Sequence, residues 1–143
     1  MQKQYTINFK ILSLEPDNYH LIIKGKIGKN PIRMILDTGA SHTCFDMNFI
    51  EELAQEVEIE DNQGMNVGVG SSDFESKLST IHELKIGRLK IDSYPIVLID
   101  FHHINFAYRV MKLPEIQGVL GSDFFVQYNA VIDYPQKELR LTV

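Results

Sequence analysis

The stretch Arg33 to Asp46, RMILDTGASHTCFD, decides how the rest of the chain reads. Met34, Ile35 and Leu36 form an apolar run that ends in an acid, Asp37. A turn of small residues follows (Thr38, Gly39, Ala40 and Ser41), and then a second apolar group flanks Cys44. A carboxylate at the end of a buried strand loses solvation and needs hydrogen-bond donors close by. The turn supplies them as the hydroxyls of Thr38 and Ser41, with backbone N–H groups that Gly39 and Ala40 leave unobstructed. An acid that caps a turn and an acid poised for chemistry both fit this pattern, and these residues alone leave both readings open.

Bulk properties narrow the classes. The 143 residues suit a single domain, 1–143, with a real core. Hydrophobic residues make up 44% and charged residues 23%, ordinary values for a globular chain. A net charge of −5 and the lack of any basic run argue against nucleic acid as a partner. Apolar runs are far too short for a membrane span, so no membrane is expected. The opening MQKQYTINFK has no apolar signal-peptide core, and the expected location is cytoplasmic. The single cysteine, Cys44, cannot form an internal disulfide, in keeping with a reducing compartment.

Strand signals dominate on both sides of the opening stretch. Tyr5 to Leu12 and Tyr19 to Ile27 are apolar, β-branched segments separated by the turn-rich SLEPDN. GKNP, Gly28 to Pro31, reads as a tight turn back into IRMIL. Asp46 to Val57 carries a helix pattern: Asp46 is a plausible N-cap, and Phe49, Ile50, Leu53 and Val57 share a face. Gly64 to Ser72 is glycine-rich and reads as a hairpin or loop. Ser76 to Ile99 returns to strands, with a turn at IGRLK. Asp100 to Glu115 fits a short helix or a loop equally well. IQGVLGSDFFVQY gives a short strand, a glycine and a helix capped near Ser122, and NAVIDYPQKELRLTV closes as a hairpin turning at YPQK. The alternation predicts a mainly antiparallel β domain. One internal echo stands out: MILDTGASHTCFDMNFI and GVLGSDFFVQY are both strand, glycine-containing turn, then helix. Two copies of one unit suggest a pseudo-twofold arrangement.

LDTGAS, Leu36 to Ser41, resembles the active-site signature of the aspartic peptidases. VLG, Val119 to Gly121, resembles the family's second element, two apolar residues and a glycine ahead of a helix. With a flap-like Val67 to Ser72 between them, the layout is similar to the retropepsin-like, single-domain branch, and GVLGSDFF…NAVIDYP is especially similar to bacterial members. The likeness runs from about Lys24 onward. It implies a mainly β retropepsin-like barrel, closed or partly open, with two short helices. It implies an aspartic endopeptidase acting on polypeptide, without cofactor or metal.

Such chemistry needs two carboxylates sharing one proton, and only one Asp-Thr-Gly is present. The resemblance therefore implies a homodimer, with Asp37 of each copy at a twofold axis. It further assigns Asp37, Thr38 and Gly39 to the catalytic centre, Thr38 locking the two loops and Gly39 giving its N–H to the carboxylate. Ala40 and Ser41, the flap residues Val67, Gly68, Val69 and Gly70, and Val119 and Leu120 are implied as substrate-binding, with Ser41 bonding the outer carboxylate oxygen. Ser122 and Asp123 follow Gly121, where retroviral members carry an arginine. In those members the terminal strands build the dimer interface; here MQKQYTI and KELRLTV are both strand-like.

Rival constellations are weaker. Asp133 reads as a hairpin start before Pro135, and Asp123 as a helix start. Cys44 with His42 lacks a third group for a thiol nucleophile. His102 and His103, with His82 or His20, lack zinc-ligand spacing. Gly68 and Gly70 have no following lysine and helix for a phosphate loop. The alternative function is a retropepsin-like binding or dimerisation module with little proteolysis.

Overall fold

A computed structural model describes residues 2–53, 59–61 and 76–143, with 59–61 described as backbone alone. The implied flap residues Val67, Gly68, Val69 and Gly70 therefore lie outside the described residues. The strands are β1 (Gln4–Asn8), β2 (Lys10–Glu15), β3 (Asn18–Ile27), β4 (Asn30–Leu36), β5 (Cys44–Asp46), β6 (Ile59–Asp61), β7 (Lys77–Ile86), β8 (Leu89–Ile99), β9 (Gly118–Leu120), β10 (Val131–Asp133) and β11 (Glu138–Thr142). The helices are α1 (Met47–Glu52), α2 (His102–Val110) and α3 (Ser122–Gln127).

Eight strands run in the order β2-β3-β4-β9-β5-β8-β7-β6, and a further β3–β7 pairing joins the run to itself. Six strands (β3, β4, β9, β5, β8 and β7) thus close a barrel, and closure leaves no free edge among them. A separate sheet, β1-β11-β10, lies alongside. The large core fills the barrel with side chains from most strands, including Met34, Phe45, Ile81 and Leu98, and takes in Leu139 and Leu141 from the second sheet. A smaller cluster, with Ile22, Cys44, Phe101, Tyr108 and Val119, packs under α2.

Local signals explain most elements. The β3–β4 hairpin turns over two residues, because Ile27 pairs with Asn30. Gly28 takes φ +57° there, a conformation that glycine alone adopts without strain. The turn is thus tighter than Gly28 to Pro31, and Asn30 and Pro31 already belong to β4. Asp46 does cap α1, its carboxylate accepting the Asn48 N–H at 3.3 Å and the Phe101 N–H at 3.2 Å. Burial pushes its carboxyl above the usual range, and those two bonds oppose the shift.

The pairings are mainly antiparallel, as expected, but two beside the site, β4–β9 and β5–β8, are parallel, and β9 slots between the two strands joined by the Asp37 turn. Three helices rather than two are present among the described residues. The ambiguous segment becomes α2, since Phe101, Ile104, Asn105 and Tyr108 bury one face at helical spacing. Asn105 then pins the helix to the approach of β9: its Nδ2 donates to Ile116 O at 3.0 Å, and the Ile116 N–H donates to its Oδ1 at 2.6 Å. α3 starts at Ser122 as expected, with Gly121 as its N-cap and no side-chain cap bond. Asp123 lies in the first turn of α3, as expected, and its carboxylate has partners inside the protein, as described below. Asp133 does start a hairpin: it accepts the Gln136 N–H at 2.9 Å and pairs with Arg140 at 3.1 Å. Those contacts, the Gln136 bond foremost, hold its carboxyl below the usual range.

The terminal strands pair with each other in one chain, Gln4 against Thr142 through Asn8 against Glu138. Main-chain bonds between Lys3 and Val143, at 2.9 and 3.1 Å, extend this ladder to its end.

Asn105→Ala is expected to lower unfolding free energy by roughly 1–3 kcal/mol, because it leaves the buried N–H and C=O of Ile116 unpaired. Denaturant unfolding of the variant beside the wild type checks this.

Candidate active site

The site is built where the two echoed units meet. Parallel pairing aligns Met34 with Gly118, Ile35 with Val119 and Leu36 with Leu120. The next residue of each unit is then Asp37 in the first and Gly121 in the second. The Asp37 N–H donates to Leu120 O at 2.9 Å, and the Ser122 N–H donates to Ala40 O at 2.7 Å. Each turn thus holds the other through its backbone. The approach is close: a Cβ on Gly121 would stand 2.7 Å from Ala40 O, so only glycine fits without displacing the Asp37 turn.

Asp37 follows directly on β4 and is exposed outside the core. Its turn closes with the Ala40 N–H on Asp37 O at 3.1 Å, and the Gly39 N–H donates to its Oδ1 at 2.9 Å. The expected loss of solvation does not hold in the single chain: Asp37, Thr38, Gly39 and Ser41 are all exposed, and Ala40 is half-buried. The strand is buried but its last peptide carries the carboxylate past the barrel rim.

Strand alternation separates the two residues implied from the second unit. Val119 joins Asp37 in lining an open cleft, whereas Leu120 is fully buried in the main core. Leu120 therefore contributes its carbonyl to the Asp37 turn and keeps its side chain away from the cleft.

A buried network under the turn carries a residue that sequence reasoning missed. Thr43 is fully buried, its hydroxyl donates to Asp123 Oδ1 at 2.9 Å, and it accepts the Gly121 N–H at 3.1 Å. The Tyr94 hydroxyl donates to Asp123 Oδ2 at 3.0 Å. Burial, with the Asp123 charge behind it, pushes the Tyr94 phenol far above its ordinary range, so it stays a donor. Both carboxylate oxygens of Asp123 are used inside the protein. The signal for Thr43 was present but thin: a threonine leading directly into the apolar strand Cys44–Asp46.

Cys44 packs in the smaller core cluster. Burial, then the charges of Asp37 and Asp123, pushes its thiol up to about 12. It stays a thiol at any physiological pH, which removes it as a nucleophile.

The cleft beside Asp37 measures about 650 Å³ and runs between α2 and the β2–β3 hairpin. Its rim carries exposed apolar side chains: Tyr19 (62% exposed), Phe106 (59%), Val110 (63%) and Met111 (47%). Apolar surface gathered at one opening marks a binding groove more than ordinary surface.

A family model described as "Aspartyl protease" matches residues 23–124, which contain Asp37, Gly121, the whole of the first echoed unit and the start of the second. The chain belongs to the aspartyl protease family. A search of curated proteins returned no match. Among solved structures, a retropepsin-like aspartic protease from Rickettsia conorii is similar over 99% of this chain and 92% of its own, at TM-score 0.58 and 15% identity. The retroviral protease-like domain of Ddi1 from Leishmania major covers 85% of this chain and 87% of its own, at TM-score 0.57 and 16% identity. EIAV protease, solved with the inhibitor HBY-793, covers 81% of this chain and 93% of its own, at TM-score 0.54 and 16% identity. These likenesses establish the retropepsin-like fold.

Thr43→Val leaves Asp123 Oδ1 and the Gly121 N–H without their partner and is expected to destabilise by roughly 1–3 kcal/mol. Thr43→Ser keeps the hydroxyl and is expected to lose clearly less. Thermal unfolding of the two variants side by side checks the claim.

Proposed function

We propose that the protein is a homodimeric aspartic endopeptidase in which a water is held between the Asp37 carboxylates of two copies. One observation carries this reading. The unit that delivers Asp37 is interlocked with a second unit whose matching position is Gly121. A single chain therefore offers one carboxylate where the reaction uses two, and a second copy supplies the other. The exposure of Asp37, Thr38, Gly39 and Ser41 in the lone chain supports the same reading, since a twofold partner would cover this turn.

In the dimer, two carboxylates held close together share one proton, because they cannot both ionise readily. The ionised one takes a proton from the water as it attacks the scissile carbonyl, and the protonated one donates to the carbonyl oxygen. A tetrahedral intermediate forms and collapses with protonation of the leaving amine, without a covalent enzyme intermediate or a cofactor. The Gly39 N–H, already on Asp37 Oδ1 at 2.9 Å, holds the carboxylate in orientation. Thr38 links the two turns, Ser41 bonds the outer oxygen, and Ala40 and Val119 line the path of an extended polypeptide. Val67, Gly68, Val69 and Gly70 supply the flap that excludes water. Since β1 and β11 already pair within one chain, the two copies meet without exchanging terminal strands.

Cleavage of a diverse peptide mixture, followed by mass spectrometry, tests the proposal. Asp37→Asn is expected to lose activity by at least about a thousandfold. Wild-type activity is expected to fall faster than linearly on dilution. Absence of cleavage by the wild type at every pH and concentration points to a binding or dimerisation module. Cleavage that survives in Asp37→Asn removes Asp37 from the chemistry.

A further inference from the structure

The β3–β4 ladder runs from Ile27 against Asn30 to Ile22 against Ile35. β3 itself continues back to Asn18. Carried two residues further, the same register sets His20 opposite Asp37, with both side chains on the face of Ile22 and Ile35. The two residues do line one cleft. His20 is half-buried there, and its Nδ1 lies 2.7 Å from the Tyr108 hydroxyl on α2. Tyr108 is fully buried, and burial pushes its phenol up to about 12, so it stays protonated. It donates to Nδ1 of a neutral imidazole and accepts from Nδ1–H of a cationic one. The ring is thus held in place in both charge states, and a proton taken up at Nδ1 changes the charge opposite Asp37 without moving the ring.

We propose that His20, held by Tyr108, is a positioning residue of the Asp37 site: as an imidazolium it opposes Asp37 with a positive charge and extends activity toward acid pH. This rests on the peptidase reading given above. The groups that act on the imidazole are Asp37, just after β4, and Tyr108 on α2; Glu15 on β2 lines the same cleft, and the charge of Arg33 acts on Tyr108. Burial lowers the pKa of His20 below its ordinary value, and the charge of Asp37 acts in the opposite direction. A net-lowered histidine is neutral near neutrality and charges only in acid. That is where a peptidase dyad is lost by protonation, and where a neighbouring cation opposes proton uptake by the carboxylates.

Two measurements on the full chain test this. The first is the NMR titration of the His20 ring in wild type and in Asp37→Asn. Removal of the facing carboxylate is expected to lower the pH at which His20 protonates by about half a unit or more; an unchanged titration overturns the pairing. This arm needs no catalysis, so it stays informative if the peptidase reading fails. The second is the pH profile of kcat/KM in His20→Gln, which keeps a polar group for Tyr108 but cannot titrate. Its acid limb is expected to move to higher pH relative to its own plateau, whatever the plateau height. A uniform loss at all pH values, with the limb in place, marks His20 as merely structural and overturns the proposal. Wild-type protein that cleaves nothing overturns the peptidase reading, and the NMR arm then decides the pairing by itself.

Discussion

The structure depends on the parallel pairing of β4 with β9. Three residue pairs bring the two strand-turn units side by side, and two backbone bonds between the turns lock them. Everything about the site follows from that interlock. It places the Asp37 carboxylate at the barrel rim, puts glycine rather than a second acid in the matching place, and forces β9 between β4 and β5. The mixed strand directions are a consequence of this insertion. Thr43, Asp123 and Tyr94 secure it from beneath, using side chains for the bonds that a ladder of three pairs leaves unmade.

Much of this was legible in the chain. RMILDTGAS announced a strand ending in an acid on a small-residue turn, and the echo in GVLGSDFF announced the second unit. Local chemistry fixed both: apolar alternation for the strands, glycine where two backbones approach, Asp46 as a cap. What the sequence hid was non-local. Parallel pairing between residues more than eighty positions apart has no periodic signature, so the pairing of β4 with β9 did not show. α2 was ambiguous because its buried face is short and partly polar, with Asn105 buried only by virtue of Ile116. Asp123 was legible as a helix-start residue but not as the centre of a network, because only the fold shows that Thr43 and Tyr94 reach it. The exposure of Asp37 was missed for a related reason: burial of a strand says little about the peptide that leaves it.

One relation was available and unused. A two-residue turn at Gly28 and Lys29 fixes the register of β3 on β4, and counting outward from it sets His20 opposite Asp37. Turn geometry specifies which residues face each other across a hairpin. The same hairpin that aims the acid outward therefore carries a titratable neighbour into its cleft, and α2 supplies the Tyr108 hydroxyl that holds it. The site is a joint product of one tight turn, one inserted strand and one helix packed on the smaller core cluster.

The central claim is that the two acids come from two copies of this chain. The most direct test mixes wild type with Asp37→Asn at constant total concentration, after joint refolding, and follows peptide cleavage. If each active unit needs Asp37 from both copies, activity falls as the square of the wild-type fraction. Activity that falls only in proportion to that fraction contradicts the account, because each chain would then be acting with its own acid alone.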